Sequence, residues 1–529
     1  ALALENNIDL EVSRYQYPLL DTALFKARVG GNNGATGPVI PSLDPVLTGT
    51  INFVHNTTPQ QNTVTTGTTA LVTTNKIANF GVQQGFMTGG TATLSYNNTT
   101  SAQNAFRNSF NPSTTSALDL QVTQPLLAGF GLALNNRGIK LAKNNLRGAD
   151  FSLQTTAITT IANVVTQYWN LVSAVENVRV QQQALDLAQK LLDDNQKQVE
   201  IGTLAPLEVV RARSQVAQSN LSLINAQSAV RTQENTLKTL LSRTGLNNPA
   251  FSDAHVIPTD RITIPDSEPV QPVQDLYSHA IQSRPELSTA RLQIENAQTN
   301  LTGTRNAMLP QLNLIGDVRN NALAGSINTT PDPTTGIVPR STADGFFVGG
   351  YGDVLRQLFG RNFPTYSLGV NLNIPLKNRS AQADMQTAQY NLRVQELGLK
   401  KQENQVRTDI QNALVQVQQA RESYQAATQA RILQEQTLDA EQKKFTLGTS
   451  TPYFVVQAQR DLATAQQAEV TARTSYALAK NTLDTASGMT LERYNVQLDE
   501  AKQGKISRPA SRIPDVAPNG AAGGAVNIR

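Results

Sequence analysis

Cysteine is absent from the 529-residue chain, so neither a disulfide framework nor a thiolate-ligated zinc can brace it. Histidine is scarce: His55, His255 and His279 fall in different segments, without the cluster that metal ligation needs. Charged residues make up 16% and aromatics 5%, so the polar character comes from Gln, Asn, Thr and Ser. Long helices with small contacts and strands with an uncharged polar face suit such a composition. The formal charge of +4 is small for this length, and Lys and Arg are interspersed with acids, which speaks against nucleic acid as a partner. No apolar run approaches the roughly 18 residues of a transmembrane helix, so a membrane could be crossed only by a closed β-barrel. Gly129-Phe-Gly131 lacks the third glycine and the βαβ setting of a phosphate loop and reads as a turn from strand into helix. No Ser/His/Asp constellation can be assembled, and Asp193-Asp194 lie on a mixed-charge helix face. Nothing therefore argues for catalysis, a cofactor or a metal. No leader segment is visible, and Ala1-Leu-Ala-Leu-Glu-Asn-Asn already reads as helix, so a mature or trimmed chain is expected.

What is present is an internal repeat. Ile201-Gly-Thr-Leu-Ala-Pro-Leu-Glu-Val-Val-Arg-Ala212 matches Leu447-Gly-Thr-Ser-Thr-Pro-Tyr-Phe-Val-Val-Gln-Ala458 at an offset of 246 positions. The offset holds downstream, where Asn235-Thr-Leu237 meets Asn481-Thr-Leu483. A period this long is a duplicated architecture and not a solenoid unit. The first repeat is placed at 1–245 and the second at 275–488. A Pro-rich linker, 246–274, joins them, and a C-terminal segment with a disordered tail, 489–529, follows.

Each repeat contains a very long helix, a turn and a return helix. In the first long helix, about 138–201, Ala157, Ile161, Val164, Tyr168, Leu171, Val175 and Val178 alternate spacings of four and three, the pattern of a coiled coil. At 1.5 Å per residue it measures about 95 Å. The return helix, about 206–244, starts at Pro206, a favoured first-turn residue. The second pair is expected at about 380–446 and 452–487. There the heptad positions 455, 462, 469, 476 and 483 hold Val, Leu, Glu, Tyr and Leu. Helices of this length must pair along one another and with other chains.

Four segments alternate between apolar and polar residues: about 44–56, 116–125, 311–320 and 364–375. Tyr366, Leu368, Val370, Leu372 and Ile374, for example, alternate with Ser367, Gly369, Asn371 and Asn373. Strands of a transmembrane barrel have this pattern; from alternation alone a soluble sandwich fits as well. The Thr/Asn/Gly/Pro-rich stretches 55–116 and 320–363 read as long rim loops. Within the first, Gly89-Gly90 marks a hairpin between 79–86 and 91–98 whose place, in the barrel or outside it, is open.

The order of these elements, with Gln124-Pro-Leu-Leu and Ile374-Pro-Leu before the long helices and Ile201-Gly-Thr and Leu447-Gly-Thr at their ends, resembles the TolC family of outer-membrane efflux proteins. Ser283-Arg-Pro-Glu-Leu followed by Leu309-Pro-Gln-Leu is similar to that family too, and the resemblance covers about residues 1–490. It implies an α+β membrane protein. A homotrimer would share one 12-stranded outer-membrane β-barrel, four strands from each chain, continued by a long periplasmic α-helical coiled-coil barrel, with the linker and C-terminal segment as its equatorial girdle. Short helices near 1–29 and 275–307 would stack on the return helices.

It further implies a passive exit duct of a Gram-negative bacterium, set in outer-membrane lipid and fed by a periplasmic adaptor (a membrane fusion protein) and an inner-membrane transporter, in a tripartite efflux or type I secretion system whose cargo the sequence does not name. Adaptor docking is carried onto the tips Gly202, Thr203, Leu204 and Ala205 and Gly448, Thr449, Ser450 and Thr451. The family's acidic gate maps onto Glu208, Phe454 and Gln457, and its cross-helix arginine onto Ser450, so the acidic ring is reduced and that arginine is missing. Phe454 then either closes the pore as an apolar constriction or packs between helices. Arg211 and Arg213 are candidate partners of Glu208. A periplasmic adaptor or a soluble coiled-coil scaffold are the other readings; neither accounts for two hairpins plus the alternating strands.

Overall fold

The structure is a computed structural model describing residues 2–247, 249–265, 272–340, 343–504 and 526–528. The chain forms two compact units. One gathers Leu20–Leu146 and Leu292–Glu396, and the other Ala1–Leu19, Arg147–Arg291 and Leu397–Arg529.

The first unit is built on a six-stranded antiparallel sheet. Its strands β1 (Val46–Pro59), β2 (Ala70–Gly85), β3 (Thr91–Gln103), β4 (Phe110–Pro125), β5 (Gln311–Ile327) and β6 (Phe363–Asn373) are neighbours in chain order. The shortest has 11 residues and the longest 17, enough for the ~10 that a tilted strand needs to cross a bilayer. The alternation fixes the register, because a slip of one residue would turn every apolar side chain to the polar face. Leu47 pairs with Val82, Val82 with Leu94, Leu94 with Leu120, Leu120 with Val318 and Val318 with Tyr366, so one apolar row crosses all six strands. The next row, Thr48, Gly81, Ser95, Asp119, Arg319 and Thr365, points to the opposite face.

The mixed class with long helices is as expected, but the strand count is not. Four strands per chain were expected, and the sheet has six. The Gly89-Gly90 hairpin is the tip of β2 and β3, which reach back to Ala70 and forward to Gln103. Most of 55–116 is therefore sheet and not rim loop. The composition misleads because a polar sheet face made of Thr, Asn and Ser has the composition of a loop. The 320–363 stretch also holds structure. Strand β5 continues to Ile327, and a helix, Tyr351–Phe359, buries Val354 and Leu358 against Ala322, Ala324, Tyr96 and Leu118. Alanines at those two β5 positions leave room for a helix on the sheet.

Six longer helices are labelled here α1 (Ile8–Arg28), α2 (Arg137–Glu200), α3 (Pro206–Leu241), α4 (Pro285–Ala307), α5 (Arg379–Thr446) and α6 (Pro452–Ala486). Within the sheet-bearing unit, Arg137 fixes the start of α2. It is 1% exposed and, among the described residues, has no acidic partner; it donates instead to the carbonyls of Thr36 and Leu134, both at 2.9 Å, and of Pro38. Burial pushes its pKa down, yet an arginine starts so high that it stays charged. The loop it holds lies against Gly303 of α4, where a Cβ would come within 2.0 Å of the Thr36 carbonyl oxygen.

In the helical unit the parts of α2 and α5 from Arg147 and Leu397 onward run beside return helices of 36 and 35 residues. Leu153, Ala157 and Ile161 pack with Leu4, Leu10 and Ala501; farther along α2, Leu171 packs with Ala3, Leu237 and Leu241. Val406, Ile410 and Ala413 of α5 pack with Leu276, Ala280 and Leu287. The acid in the α6 heptad, Glu469, is buried and salt-bridged to Arg431 at 2.6 Å and Arg473 at 3.0 Å. Linker residues dock on the return helix: Glu234 accepts from the Val256 amide, and Lys238 donates to the Ser252 carbonyl at 2.7 Å. The expected disordered tail lies, beyond Gly504, almost wholly outside the described residues.

Candidate functional site at the helical tips

The two Gly-Thr turns close by the same hydrogen bonds. At the end of α2 the Thr203 amide donates to the Gln198 carbonyl at 2.9 Å and the Gly202 amide to Val199 at 3.0 Å. At the end of α5 the Thr449 amide donates to Lys444 at 2.9 Å and the Gly448 amide to Phe445 at 3.0 Å. These are Schellman caps, in which the residue after the helix takes the left-handed conformation that glycine reaches without strain. Gly202 has φ +81° and Gly448 φ +76°. The following threonine reinforces each cap with its hydroxyl, Thr203 onto Gln198 at 3.0 Å and Thr449 onto Lys444 at 3.1 Å. Pro206 and Pro452 then open the return helices in the first turn, where a missing N–H costs nothing.

Of the eight expected docking residues, Gly202, Thr203, Ala205, Gly448, Thr449 and Thr451 are exposed, and Leu204 and Ser450 are half-buried. Exposed apolar side chains surround them: Ile201, Leu207 and Val210 at the first tip, and Leu447, Tyr453 and Phe454 at the second. Of these six, sequence reasoning assigned a site role to Phe454 alone. Large apolar residues displayed at both turns make a surface suited to a protein partner.

The three expected gate residues keep partners within their own helices. Glu208 accepts from Arg211 at 2.8 Å, a pair of i,i+3 spacing. Gln457 donates to Asp461 at 3.0 Å, and Phe454 meets the neighbouring Tyr453 ring edge-on, centroids 5.5 Å apart. Phe454 is 55% exposed, so it is not packed away inside this chain. Ser450, at the place of the family's arginine, donates to Glu441 at 2.9 Å, and Lys444 lies 2.6 Å from the same carboxylate. Lys444 and then Ser450 hold the Glu441 carboxyl below its usual pKa.

A cross-hairpin arginine does exist, and it is one the sequence did not mark. Arg460 Nε donates to Gln215 Oε1 at 2.7 Å, tying α6 to α3, and the buried Gln459 reaches the Leu187 carbonyl of α2 at 3.4 Å. The available signal was the polar Gln215 on the buried side of α3, three residues from Ala212 and four from Ser219. Elsewhere His55 bonds Thr74, His255 faces Glu234 and His279 meets Ser487. Among the described residues no group of three His, Cys, Asp or Glu could hold a metal ion, and no helix is long and apolar enough to cross a membrane.

Comparison with known proteins places this architecture. The family of outer membrane efflux proteins matches residues 89–243 and 276–489, which include both tips. Outer membrane protein TolC of Escherichia coli (strain K12) is 25% identical over 415 residues, 78% of this chain and 76% of that protein; TolC of Salmonella enteritidis is 24% identical over 415 residues, with the same coverage. The outer membrane channel CmeC of Campylobacter jejuni shares the fold at a TM-score of 0.62 and 15% identity, covering 96% of this chain and 89% of that one. VceC of Vibrio cholerae does so at 0.61 and 14%, covering 92% and 94%. The chain belongs to the outer membrane efflux protein family.

Proposed function

We propose that this protein is the outer-membrane exit duct of a tripartite efflux or type I secretion system of a Gram-negative bacterium. It conducts substrates passively from a periplasmic adaptor and an inner-membrane transporter to the exterior. The observation that carries the reading is the pairing, in one chain, of a sheet having one apolar and one polar face with two long helical hairpins capped alike. A closed sheet of that kind presents its apolar face to lipid and its polar face to a water-filled lumen. Helices as long as α2 and α5 extend about 100 Å, a length suited to the periplasm. Both sheet edges, β1 and β6, are exposed along their whole length, and unpaired edges in lipid must be closed by other copies. A homotrimer, as the family resemblance implies, closes them.

The exposed apolar residues beside Gly202–Ala205 and Gly448–Thr451 are the adaptor-docking surface in this reading. Glu208, Phe454 and Gln457 form the gate, with Phe454 as its apolar element. Detergent-solubilised protein should appear as three-fold particles by electron microscopy and conduct ions in a planar bilayer. A soluble monomer without conductance would sink the duct. For the gate, Phe454→Ala should raise resting conductance, while Glu208→Ala, removing a surface ion pair worth about 0–1 kcal/mol, should leave it nearly unchanged. The reverse ranking would return the gate to the acid.

A further inference from the structure

The β2–β3 hairpin lies where a four-strand chain would have only a loop. Strand β1 pairs with β2 along its full length, β2 with β3 and β3 with β4, so the hairpin separates β1 from β4 completely. Its two faces match those of the other strands. On one face stand Ala78, Phe80 and Val82 of β2 and Ala92, Leu94 and Tyr96 of β3; on the other Asn75, Asn79 and Gln83, and Thr93, Ser95 and Asn97. The family match begins only at residue 89, so β1 and β2 precede it.

The apolar stretch also shifts steadily from strand to strand. In β1 it spans Leu47 to Phe53, on one side of the Leu47–Tyr366 row; in β6 it spans Tyr366 to Leu372, on the other. It is centred near Phe80 in β2, Leu94 in β3 and Leu120 in β4, and reaches from Leu312 to Val318 in β5. Its centre therefore moves about six residues over the five strand-to-strand steps, about 20 Å along the strands for about 24 Å across them. A level lipid layer would cut such a sheet only if the strands lean at about 40°, within the range of membrane barrels. The hairpin falls on the same line as the four expected strands. A flap outside the wall would have no reason to follow it.

We propose that each chain contributes six strands, not four, to the shared wall, so that three copies close an 18-stranded barrel. The occupant of each free edge is a second copy of this chain. With an even number of strands β1 and β6 run in opposite directions, so β6 of one copy meets β1 of the next in the antiparallel sense already used throughout the sheet. Diameter grows roughly linearly with strand number; at this tilt the backbone wall widens from about 24 Å for 12 strands to about 36 Å for 18. The outer mouth is then wide and lined mostly by amides and hydroxyls, with Asp119, Asp317 and Arg319 as charged groups on the same face. This inference rests on the duct reading.

The test is electron microscopy of the full-length trimer in lipid nanodiscs, with strands counted in cross-section. Eighteen strands support the proposal. Twelve, with the hairpin off the ring, overturn it and leave the duct intact, whereas no ring overturns both. A second measurement uses the natural absence of cysteine. In outer membranes, Asn79→Cys and Ser95→Cys should react with a water-soluble maleimide about tenfold faster than Phe80→Cys and Leu94→Cys, whose side chains face lipid in a wall of this pattern. Equal rates on the two faces overturn the proposal.

Discussion

Glu469 offers a decisive test of how the helical hairpins are held. It occupies a heptad position of α6 between Leu462 and Tyr476, both buried. Its side chain is only 10% exposed and bridges Arg431 of α5, 2.6 Å away, and Arg473 of its own helix, 3.0 Å away. Removing one partner of a fully buried ion pair costs about 3–5 kcal/mol, because the remaining charge is left without compensation. Here the loss is smaller. Arg431 is 28% and Arg473 33% exposed, so water reaches both. Arg431 also keeps Glu435 at 2.8 Å, and Arg473 keeps the face of Tyr424, 5.7 Å from its guanidinium carbon. We expect Glu469→Ala to destabilise by about 2 kcal/mol, and Glu469→Gln by about half that, since the amide still accepts hydrogen bonds but carries no charge. Glu435→Ala, which removes a carboxylate that is 62% exposed, should cost no more than about 0.5 kcal/mol. Urea unfolding of the detergent-solubilised protein at fixed concentration measures all three. If Glu469→Ala matched Glu435→Ala, Glu469 would be an ordinary solvated acid and the assignment of a buried inter-helix tie would be wrong.

Three further outcomes follow from the same physics. Gly202→Ala and Gly448→Ala should each cost about 1–2 kcal/mol, although a Cβ at either site meets nothing within 4 Å; a cost near zero in urea unfolding would show that the backbone relaxes out of the left-handed conformation. Asn195 is fully buried in α2 and, among the described residues, neither polar atom of its side chain has a hydrogen-bond partner. Asn195→Leu should therefore stabilise by about 1–3 kcal/mol, the usual cost of an unsatisfied buried amide, and a loss of stability would reveal a bonded partner. Glu441 has a depressed folded-state pKa, so its tie across the second tip is complete above the ordinary carboxylate range and is lost as pH falls through the lowered value. Hydrogen exchange at 441–451, corrected for intrinsic rates, should rise on acidification in the native protein and lose that dependence in Glu441→Gln; identical profiles would remove Glu441 from the tip.

The helical half was legible because its pattern is redundant. Heptad spacing, Gly-Thr turns and first-turn prolines each point to the same elements, and α2 and α5 start and stop where those signals converge. The sheet was harder to read. In a globular sheet the outward face carries charge, which sets strand apart from loop. Here the polar face is mostly Thr, Asn, Ser and Gln, the residues that elsewhere mark turns. Ala92, Leu94 and Tyr96 alternate with Thr93, Ser95 and Asn97 as cleanly as any recognised strand, yet the flanking Thr/Asn-rich run outweighed them. Period two is the better criterion wherever composition is uniformly polar.

The candidate site divides along the same line. Caps are local, and their residues could be placed from the sequence to within a position. Ties between helices are not local: Arg460 meets Gln215 across 245 positions of chain. Transfer of the family's arginine led to Ser450, which turns inward to brace its own hairpin through Glu441, while a different arginine joins the two hairpins. The function of that link asks only for a donor on α6 opposite an acceptor on α3. Helix pairs that stay in register offer such a position at every second turn of the contact, so a tie can move along the hairpin without altering the fold. Arg460 sits two turns into α6 from Pro452, which places the tie above the tips and leaves the apolar residues at the turns free to meet a partner.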